Sequence, residues 1–333
     1  MRNLITDVPG IKVGHAEDIR IGSGATAVIF EAPAVAAIDV RGGGPGTRET
    51  ALLDPVQTVE GIDAVTLAGG SAFGLDAASG VQAWLKERGR GFAVREARVP
   101  IVPAAILFDL LSGGDKNWGR YPPYRELGYA AAAAADVDFA LGSFGAGTGA
   151  TTFICKGGIG SASETTASGH IVGALAAVNA VGSVTIGDGP WFWAAPFERG
   201  GEFGGRGWPT RFPERALRPV IKGAANQSTT LVIVATDAAL SKTQAKRLAV
   251  MAQSGLSRAI YPVHSPLDGD VLFAASTGRQ PLADPLIGIT QLGKAPGSGK
   301  AFAAKTPRAI ARATTLAPTA PSSVIPISGS ANG

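Results

Sequence analysis

Near the two-thirds point of the chain, small polar residues run directly into an apolar β-branched segment. Residues 226–237 read Asn-Gln-Ser-Thr-Thr-Leu-Val-Ile-Val-Ala-Thr-Asp. If the peptide bond between Ser228 and Thr229 breaks, Thr229 acquires a free α-amine beside its own hydroxyl. That amine can act as the base for the hydroxyl, so one residue carries both groups. The pattern predicts a nucleophile at Thr229, although Thr-rich strand starts are also common as purely structural features.

Two carboxylates further along the chain, Asp268 and Asp270, flank a glycine. This spacing could belong to a cation loop, but the remaining ligands of an EF-hand are absent. Two carboxylates this close can instead orient an ammonium group, such as a freed N-terminal amine. The three histidines are scattered without metal-ligand spacing, and the sequence therefore predicts neither a metal nor another cofactor.

Three glycine-rich clusters begin at Gly42, Gly69 and Gly145. None ends in the Gly-Lys-Ser/Thr of a nucleotide-binding P-loop, and the third lacks the dinucleotide spacing. We expect the first cluster to be a turn that brings backbone close to backbone. In the second and third, backbone amides that line a site remain an alternative, since such loops bind an oxyanion as readily as a phosphate.

Composition excludes several classes of protein. The chain has 333 residues, of which 45% are hydrophobic and 17% charged, so it can bury a large core. The net charge of +4 comes from scattered residues, and a basic stripe of the kind that binds nucleic acid is missing. No stretch is apolar enough to span a bilayer, and the N-terminus has no signal-peptide pattern. We expect a cytoplasmic protein, and the single Cys155 excludes an intramolecular disulfide.

Hydrophobic periodicity predicts a mixture of strands and helices. Helical spacing covers Gly74–Arg88 and Lys242–Ile260, and Ser241 with Gln244 forms a capping box for the second helix. Strands are predicted at Ala25–Glu31, Val35–Val40, Asp63–Leu67, Asp138–Gly142, His170–Ala177, Val181–Ile186, Thr230–Thr236 and Asp270–Ala275. The mixture favours one layered α/β domain, which we assign to residues 1–316.

Two segments are predicted to be irregular. Residues 187–223 form a long loop rich in Gly, Pro and aromatic residues, which could line a substrate cleft or cover a subunit contact. Residues 317–333 are rich in Pro, Ser, Ala and Gly, and we expect this tail to be poorly ordered.

Taken in order, a series of motifs resembles the L-aminopeptidase/D-esterase family, which includes β-aminopeptidases and nylon-oligomer (6-aminohexanoate) hydrolases. The resemblance covers roughly residues 1–310, and the ordered set is far more specific than any single motif. The motifs are Ile5–His15, Asp39–Gly43, Leu67–Leu75, Val102–Asp109, Gly145–Ala150, Lys156–Ser163 and the strand from Thr229.

The resemblance implies a four-layer αββα sandwich of the self-processing N-terminal-nucleophile type. It also implies autocleavage into chains of residues 1–228 and 229–333, and assembly of the cleaved protomers into a homo-oligomer, a tetramer. Two positions differ from the family. Ser228 precedes the bond where the family usually has Asn, and Phe108 stands where the nylon-oligomer branch has Tyr.

The resemblance also implies roles for individual residues. Thr229 would attack the substrate carbonyl, and its α-amine would serve as the base. Lys156 would help to keep that amine neutral, and Asn179 would donate to the oxyanion. Asp268 and Asp270 would hold the amine of Thr229 or of the substrate. Without the resemblance, Asn179 reads as a strand-end residue that satisfies a turn, and Lys156 as a solvated surface lysine.

Phe108, Gly145 and Gly147 are the expected substrate-binding residues, and the expected substrate is a small peptide or amide. The predicted function is that of an N-terminal-nucleophile amidohydrolase or aminopeptidase. Two alternatives stay open: an acyltransferase of the ornithine acetyltransferase type, and a non-cleaving binding protein on the same fold.

Overall fold

The chain folds into a mixture of strands and helices, in which runs of strands are separated by single α-helices. A computed structural model describes residues 1–153, 155–217, 228–292 and 310–312. The strands within these ranges are β1 (Ile11–Asp18), β2 (Ser23–Val40), β3 (Thr47–Arg48), β4 (Ile62–Ala68), β5 (Phe92–Val94), β6 (Ala97–Val99), β7 (Ala104–Ile106), β8 (Gly158–Thr165), β9 (Ile171–Asn179), β10 (Thr229–Ala238) and β11 (Val271–Gln280). The α-helices are α1 (Ala77–Glu87), α2 (Tyr124–Ala133), α3 (Lys242–Ala252) and α4 (Pro285–Leu292).

The long strand β2 belongs to two sheets. Its first half pairs with β1 and β4, and its second half pairs antiparallel with β11. The first sheet therefore runs β3-β7-β4-β2, with β1 on β2, and the second runs β2-β11-β10-β9-β8. Strands β10 and β11 are parallel to each other, and β9 is antiparallel to β10.

Alternate residues of β10 show how the layers stack. Leu231 and Ile233 face the core between the two sheets, where they join residues of the first sheet such as Phe30. Val232 and Val234 face the other way, into the core beneath α3 and α4. Because a strand has a period of two, both faces must be apolar when both are covered. Residues of α1 and α2 cover the outer face of the first sheet. The order helix, sheet, sheet, helix confirms the four-layer αββα sandwich.

Most of the predicted elements are present, with informative differences. The two strands predicted at Ala25–Glu31 and Val35–Val40 are one strand, β2, whose register shifts between Ile29 and Ala34. Pro33 lies at this shift, where it has no N–H to pair, and β2 changes partners around it. The capping box of Ser241 and Gln244 is confirmed.

Other boundaries were wrong. The segments Asp138–Gly142 and Val181–Ile186 make only isolated bridges instead of strands. The helix predicted to reach Ile260 ends at Ala252 and continues as a 3-10 turn, and the helix predicted from Gly74 begins at Ala77 after another 3-10 turn. Apolar spacing alone does not distinguish these shorter turns from α-helix.

The described part of the predicted loop, residues 187–217, has irregular structure with short 3-10 turns. Phe192 and Phe203 pack on the core under α3. Trp193 stacks on Phe212 and lies 5.5 Å from the ring of Tyr261. The predicted tail of residues 317–333 lies outside the described residues, so the division at 316 stays a prediction. None of the helices in the described ranges has the length and apolar character needed to cross a membrane.

Candidate active site

The sheet topology brings the predicted catalytic residues to one edge of the second sheet. Thr229 begins β10 directly opposite Asn179, which ends the antiparallel strand β9. Residues 268–270 precede β11, which runs parallel to β10, and Asp268 forms a bridge with Ser228. Directly opposed residues of neighbouring strands have adjacent side chains on the same face. The sequence-distant groups therefore meet because their strands start or end at this edge.

The peptide bond between Ser228 and Thr229 lies in a tight hydrogen-bonded setting. The Thr229 hydroxyl donates to the carbonyl oxygen of Ser228 at 2.6 Å, and the N–H of Gly269 donates to the same oxygen at 2.8 Å. Ser228 and Thr229 are only 1% and 3% exposed. The hydroxyl thus lies against the carbonyl group of the preceding residue, and that carbonyl is polarised by a fixed backbone donor.

Gly269 is a position where the absence of a side chain matters. A Cβ atom there would lie 2.7 Å from Thr229 Oγ1 and 2.6 Å from the carbonyl oxygen of Gly44. These distances are far below van der Waals contact, so only glycine fits without displacement. In the first glycine cluster, a Cβ at Gly42 would lie 2.2 Å from the backbone nitrogen of Asp270. This confirms that the first cluster is a turn with close backbone packing.

Asp270 receives three hydrogen bonds around the nucleophile. Its Oδ1 accepts from the N–H of Thr230 at 2.8 Å, while its Oδ2 accepts from the N–H of His264 at 3.1 Å and contacts His264 Nδ1 at 2.9 Å. Asp270 is 1% exposed. Its carboxylate is thus fixed one residue away from the site where the amine of Thr229 would be released.

Asp268 is held from the opposite side. Its Oδ1 accepts from the N–H of Val181, and its Oδ2 accepts from the N–H and the hydroxyl of Ser265. Burial, together with the neighbouring charge of Asp270, raises the pKa of Asp268 above its usual value. Two carboxylates this close favour a cation between or beside them, which fits the predicted role toward an ammonium group.

Asn179 is fully buried and its amide is oriented by two loops. Its Nδ2 donates to the carbonyl oxygen of Phe108 at 2.9 Å, and its Oδ1 accepts from the N–H of Thr151 at 3.0 Å. Asn179 therefore joins the segment after β7 to the segment before β8, beside the start of β10. Its predicted donation to an oxyanion remains a proposal, supported by its place opposite Thr229.

Lys156 precedes β8 and forms a backbone bridge with Thr151. The neighbouring strand β8 begins with Gly158 opposite Val178, next to Asn179, so Lys156 lies near the same edge of the sheet. Its side chain is exposed, and no hydrogen bond or ion pair joins it to another residue of the described ranges. Its effect on the amine of Thr229 therefore stays a prediction.

The three residues predicted to bind substrate have other contacts in the structure. Phe108 is half-buried and uses its carbonyl oxygen to hold Asn179. The N–H of Gly145 donates to Glu17, and the N–H of Gly147 donates to the carbonyl oxygen of Phe144. Both glycines are buried, and their N–H groups form hydrogen bonds within the fold. A substrate-binding role for them stays a prediction.

The second glycine cluster is likewise held by hydrogen bonds within the fold. The N–H of Gly70 donates to Asp109 Oδ1 at 2.7 Å, and the hydroxyl of Ser23 donates to Asp109 Oδ2 at 2.6 Å. Burial raises the pKa of the Asp109 carboxyl. This buried network fixes the backbone next to Phe108, whose carbonyl orients Asn179.

Three contributors to the site escaped the sequence reasoning. The N–H of Gly269 and the carbonyl of Leu267 act through the backbone, so residue type gives no signal for them. His264 lies six residues before Asp270 along the chain, and this short separation is the sequence signal that could identify the pair. In the described ranges no group of three or more His, Cys, Asp or Glu side chains is arranged to hold a metal ion.

Comparisons with known proteins find a matching family model and similar proteins with named activities. The model of Peptidase family S58 matches residues 3–323. An uncharacterized aminopeptidase from Mycobacterium tuberculosis (strain ATCC 25618 / H37Rv) is 47% identical over 287 residues, which are 83% of this chain and 82% of that protein. A 6-aminohexanoate-oligomer endohydrolase from Kocuria sp. (strain KY2) is 30% identical over 289 residues, covering 81% of this chain and 74% of that protein.

Solved structures share the architecture. A β-aminopeptidase from Burkholderia sp. superposes with a TM-score of 0.64 at 24% identity, covering 94% of this chain and 86% of that chain. An L-aminopeptidase D-Ala-esterase/amidase from Ochrobactrum anthropi gives a TM-score of 0.63 at 20% identity, covering 94% and 85%. The latter is described as a new variant among the Ntn hydrolase fold. At these identities the likeness shows the fold.

Proposed function

This chain belongs to peptidase family S58 and is a hydrolase of amide bonds, and we propose that it is a self-processing aminopeptidase whose nucleophile is Thr229. One observation carries the proposal. The hydroxyl of Thr229 lies 2.6 Å from the carbonyl oxygen of Ser228, and the N–H of Gly269 donates to that same oxygen. The hydroxyl of the proposed nucleophile and a backbone oxyanion donor thus both contact the oxygen of the carbonyl group that would be attacked in the uncleaved chain.

Self-processing follows from this contact. The Thr229 hydroxyl oxygen attacks the Ser228 carbonyl carbon, and the C–N bond of the peptide breaks. The nitrogen takes up the proton that the hydroxyl loses and becomes the α-amine of Thr229. The acyl group of residues 1–228 is then an ester on Thr229 Oγ1, which water hydrolyses to release a carboxylate at Ser228. The N–H of Gly269 stabilises the charge on the oxygen, an interaction that typically contributes about 2.7–4 kcal/mol. An Asn side chain before the bond is not needed for these steps.

After processing, the free α-amine becomes the base for turnover. An α-amine has an ordinary pKa of about 7.7–8.0, which suits proton transfer near neutral pH. The Asp270 carboxylate, held by Thr230 and His264, supplies a fixed negative charge beside this amine. We assign to Asp268 the same role of holding the amine. We assign oxyanion donation during turnover to Asn179, and control of the charge on the amine to Lys156.

The substrate, assembly and location are also proposals. The names of the relatives, an aminopeptidase and a 6-aminohexanoate-oligomer endohydrolase, support a small peptide or amide substrate. We further propose that the cleaved protomers assemble into a tetramer in the cytoplasm.

The nucleophile is tested by a pair of variants that differ from each other only by the side-chain hydroxyl group. Thr229→Ala removes the hydroxyl and should leave a single chain of 33.6 kDa without amidase activity. Thr229→Ser keeps the hydroxyl and should still cleave, as seen by two bands on a denaturing gel. A Thr229→Ala variant that cleaves and hydrolyses amides like the wild type would refute the assignment. An intact wild-type chain that hydrolyses amides would refute self-processing.

A further inference from the structure

A fully buried carboxylate, Asp109, lies next to a residue that orients the amide of Asn179. Asp109 is 0% exposed, and its two oxygens accept from the N–H of Gly70 and from the hydroxyl of Ser23. The hydroxyl of Tyr124 donates in turn to Ser23 Oγ at 3.0 Å. The carboxylate is therefore the end of a buried chain of hydrogen bonds, which fixes its position.

Two glycines bring the backbone of two loops against the same carboxylate. A Cβ atom at Gly149 would lie 2.7 Å from Asp109 Oδ2 and 2.8 Å from Asp109 Cβ, and a Cβ atom at Gly69 would clash with the same oxygen. Only glycine permits so close an approach of backbone to a side chain. Asp109 thus packs directly on the last residues of the second and the third glycine cluster that face it.

The two partners of the Asn179 amide lie on segments that Asp109 contacts or contains. Phe108 directly precedes Asp109, and its carbonyl oxygen accepts from Asn179 Nδ2 at 2.9 Å. Thr151 lies two residues after Gly149, and its N–H donates to Asn179 Oδ1 at 3.0 Å. The two hydrogens of an amide nitrogen lie in one plane, so the direction of one fixes the direction of the other. The plane of the Asn179 amide therefore depends on both segments.

We infer that Asp109 is a positioning residue for turnover, because it holds the two segments that orient the amide of Asn179. The inference rests on the proposed function, in which Asn179 donates to the oxyanion during turnover. Asp109 itself is assigned no contact with the substrate. A donor to the oxyanion acts in the transition state, so its displacement lowers kcat and leaves KM nearly unchanged.

Self-cleavage should depend much less on Asp109. In the uncleaved chain the carbonyl oxygen of Ser228 accepts from the N–H of Gly269 at 2.8 Å, which is a backbone group of a different loop. Variants at Asp109 should therefore still mature into two chains, and the cleaved protein can be used for kinetics. A folded Asp109→Asn chain that stays uncleaved would overturn the inference.

Asp109→Asn changes the hydrogen-bonding character of the side chain while its shape stays nearly the same. A carboxylate accepts at both oxygens, whereas a carboxamide has one accepting oxygen and one donating nitrogen. In either orientation of the carboxamide, the N–H of Gly70 or the hydroxyl of Ser23 loses its acceptor. We expect the adjoining backbone of Phe108 to shift and kcat to fall about ten- to a hundredfold, because a shift of about 1 Å in a catalytic group has effects of this size.

A second buried carboxylate, Asp237, provides a matched control at the opposite end of β10 from Thr229. It is also 0% exposed, and it accepts from the N–H of Ile171 at 2.9 Å and from Gln280 Nε2 at 2.8 Å. Asp237→Asn removes the same charge from a similar set of donors, so kcat of the folded enzyme should stay within about twofold of the wild type. A fall in kcat as large as that of Asp109→Asn would overturn the inference.

A double-mutant cycle tests whether Asp109 acts through Asn179. The probe is the one that the wild-type enzyme hydrolyses fastest among the p-nitroanilides of alanine, leucine, β-alanine and 6-aminohexanoic acid. Asn179→Ala removes the donor and should lower kcat about a hundred- to a thousandfold. In this background Asp109→Asn should change kcat less than about twofold, since the group that it displaces is already absent. Equal falls in both backgrounds, or a wild-type kcat for Asp109→Asn, would overturn the inference.

Ser23→Ala keeps the inference testable if Asp109→Asn does not fold, as judged by circular dichroism. It removes only the hydroxyl that donates to Asp109 Oδ2, so the carboxylate and its contact with Gly70 remain. We expect kcat to fall about three- to tenfold, the worth of one hydrogen bond, and to fall less than about twofold when Asn179→Ala is also present. Equal falls with and without Asn179→Ala would contradict the role of Asp109.

The outcomes of the cycle separate the two proposals. A wild-type chain that neither cleaves itself nor hydrolyses any of the four amides refutes the proposed function, and the role of Asp109 with it. An Asn179→Ala enzyme with the kcat of the wild type refutes both the oxyanion donor and its positioning. A large loss from Asn179→Ala, combined with equal falls for Asp109→Asn in both backgrounds, supports the proposed function and refutes the positioning role.

Discussion

Replacing Gly269 by alanine should slow self-cleavage strongly without unfolding the protein. The added Cβ would lie 2.7 Å from Thr229 Oγ1 and 2.6 Å from the carbonyl oxygen of Gly44, so the hydroxyl or the loop must move. A shift of the hydroxyl breaks its contact with the Ser228 carbonyl, and a shift of the loop breaks the contact of the Gly269 N–H with the same carbonyl. Loss of one oxyanion donor typically costs about 2.7–4 kcal/mol, so cleavage should slow about a hundred- to a thousandfold.

Gly44→Ala is a matched control in the facing loop. A Cβ there meets only the carbonyl oxygen of Asp268 at 3.9 Å, which is an ordinary contact, so this variant should cleave like the wild type.

The assay is pulse-chase labelling with radioactive methionine during cell-free synthesis. The chain has two methionines, Met1 and Met251, and one falls on each side of the Ser228–Thr229 bond, so both fragments carry label. Circular dichroism of the uncleaved variant establishes that it is folded. A folded Gly269→Ala chain that cleaves at the wild-type rate would refute the role of the Gly269 N–H and the steric argument together.

Three further predictions concern the charged groups. Asp270→Asn keeps an oxygen for the Thr230 N–H but removes a charge beside Asp268. The pKa of Asp268 is raised by burial and by that charge, so it should fall in the variant, as measured by the pH dependence of the Asp268 carboxyl ¹³C shift. An unchanged pKa would contradict the coupling. His264→Ala should slow self-cleavage about ten- to a hundredfold, because a hydrogen bond to a charged group is worth about 1.5–3 kcal/mol. His264→Asn tolerates the positive φ of 58° and can still donate to Asp270, so it should retain most of the rate on the same gel assay. Burial lowers the pKa of His15 from 6.5 to about 4. Between pH 6.5 and pH 4 the folded state therefore binds fewer protons than the unfolded state. The free energy of unfolding should fall as the pH is lowered through this range, by up to about 3 kcal/mol. Urea unfolding from pH 7 to pH 4 measures this loss, which His15→Gln should reduce.

The sequence singles out candidate site residues by type, but it does not give their contacts. The strand from Thr229 and the Asp268–Asp270 pair stand out by residue type, and the order of the family motifs implied the layered fold. The register that places Asn179 opposite Thr229 depends on long-range strand pairing, which local periodicity does not encode.

Backbone contributions were beyond residue-type reasoning. The N–H of Gly269 and the carbonyl of Leu267 are present in almost every residue, so only the fold shows that they meet Ser228. Similarly, β2 was predicted as two strands because Pro33 and its neighbours interrupt the apolar pattern, whereas the chain continues straight from one sheet into the other. The spacing of residues along the sequence does not show what the side chain of Lys156 contacts, and in the structure this side chain is exposed.

The most direct measurement for the central claim is N-terminal sequencing of the smaller fragment from purified wild-type protein. Cleavage between Ser228 and Thr229 predicts a fragment that begins Thr-Thr-Leu-Val-Ile. A fragment that begins Ser-Thr-Thr-Leu would move the nucleophile to Ser228. A single uncleaved chain with full amidase activity would contradict the mechanism altogether.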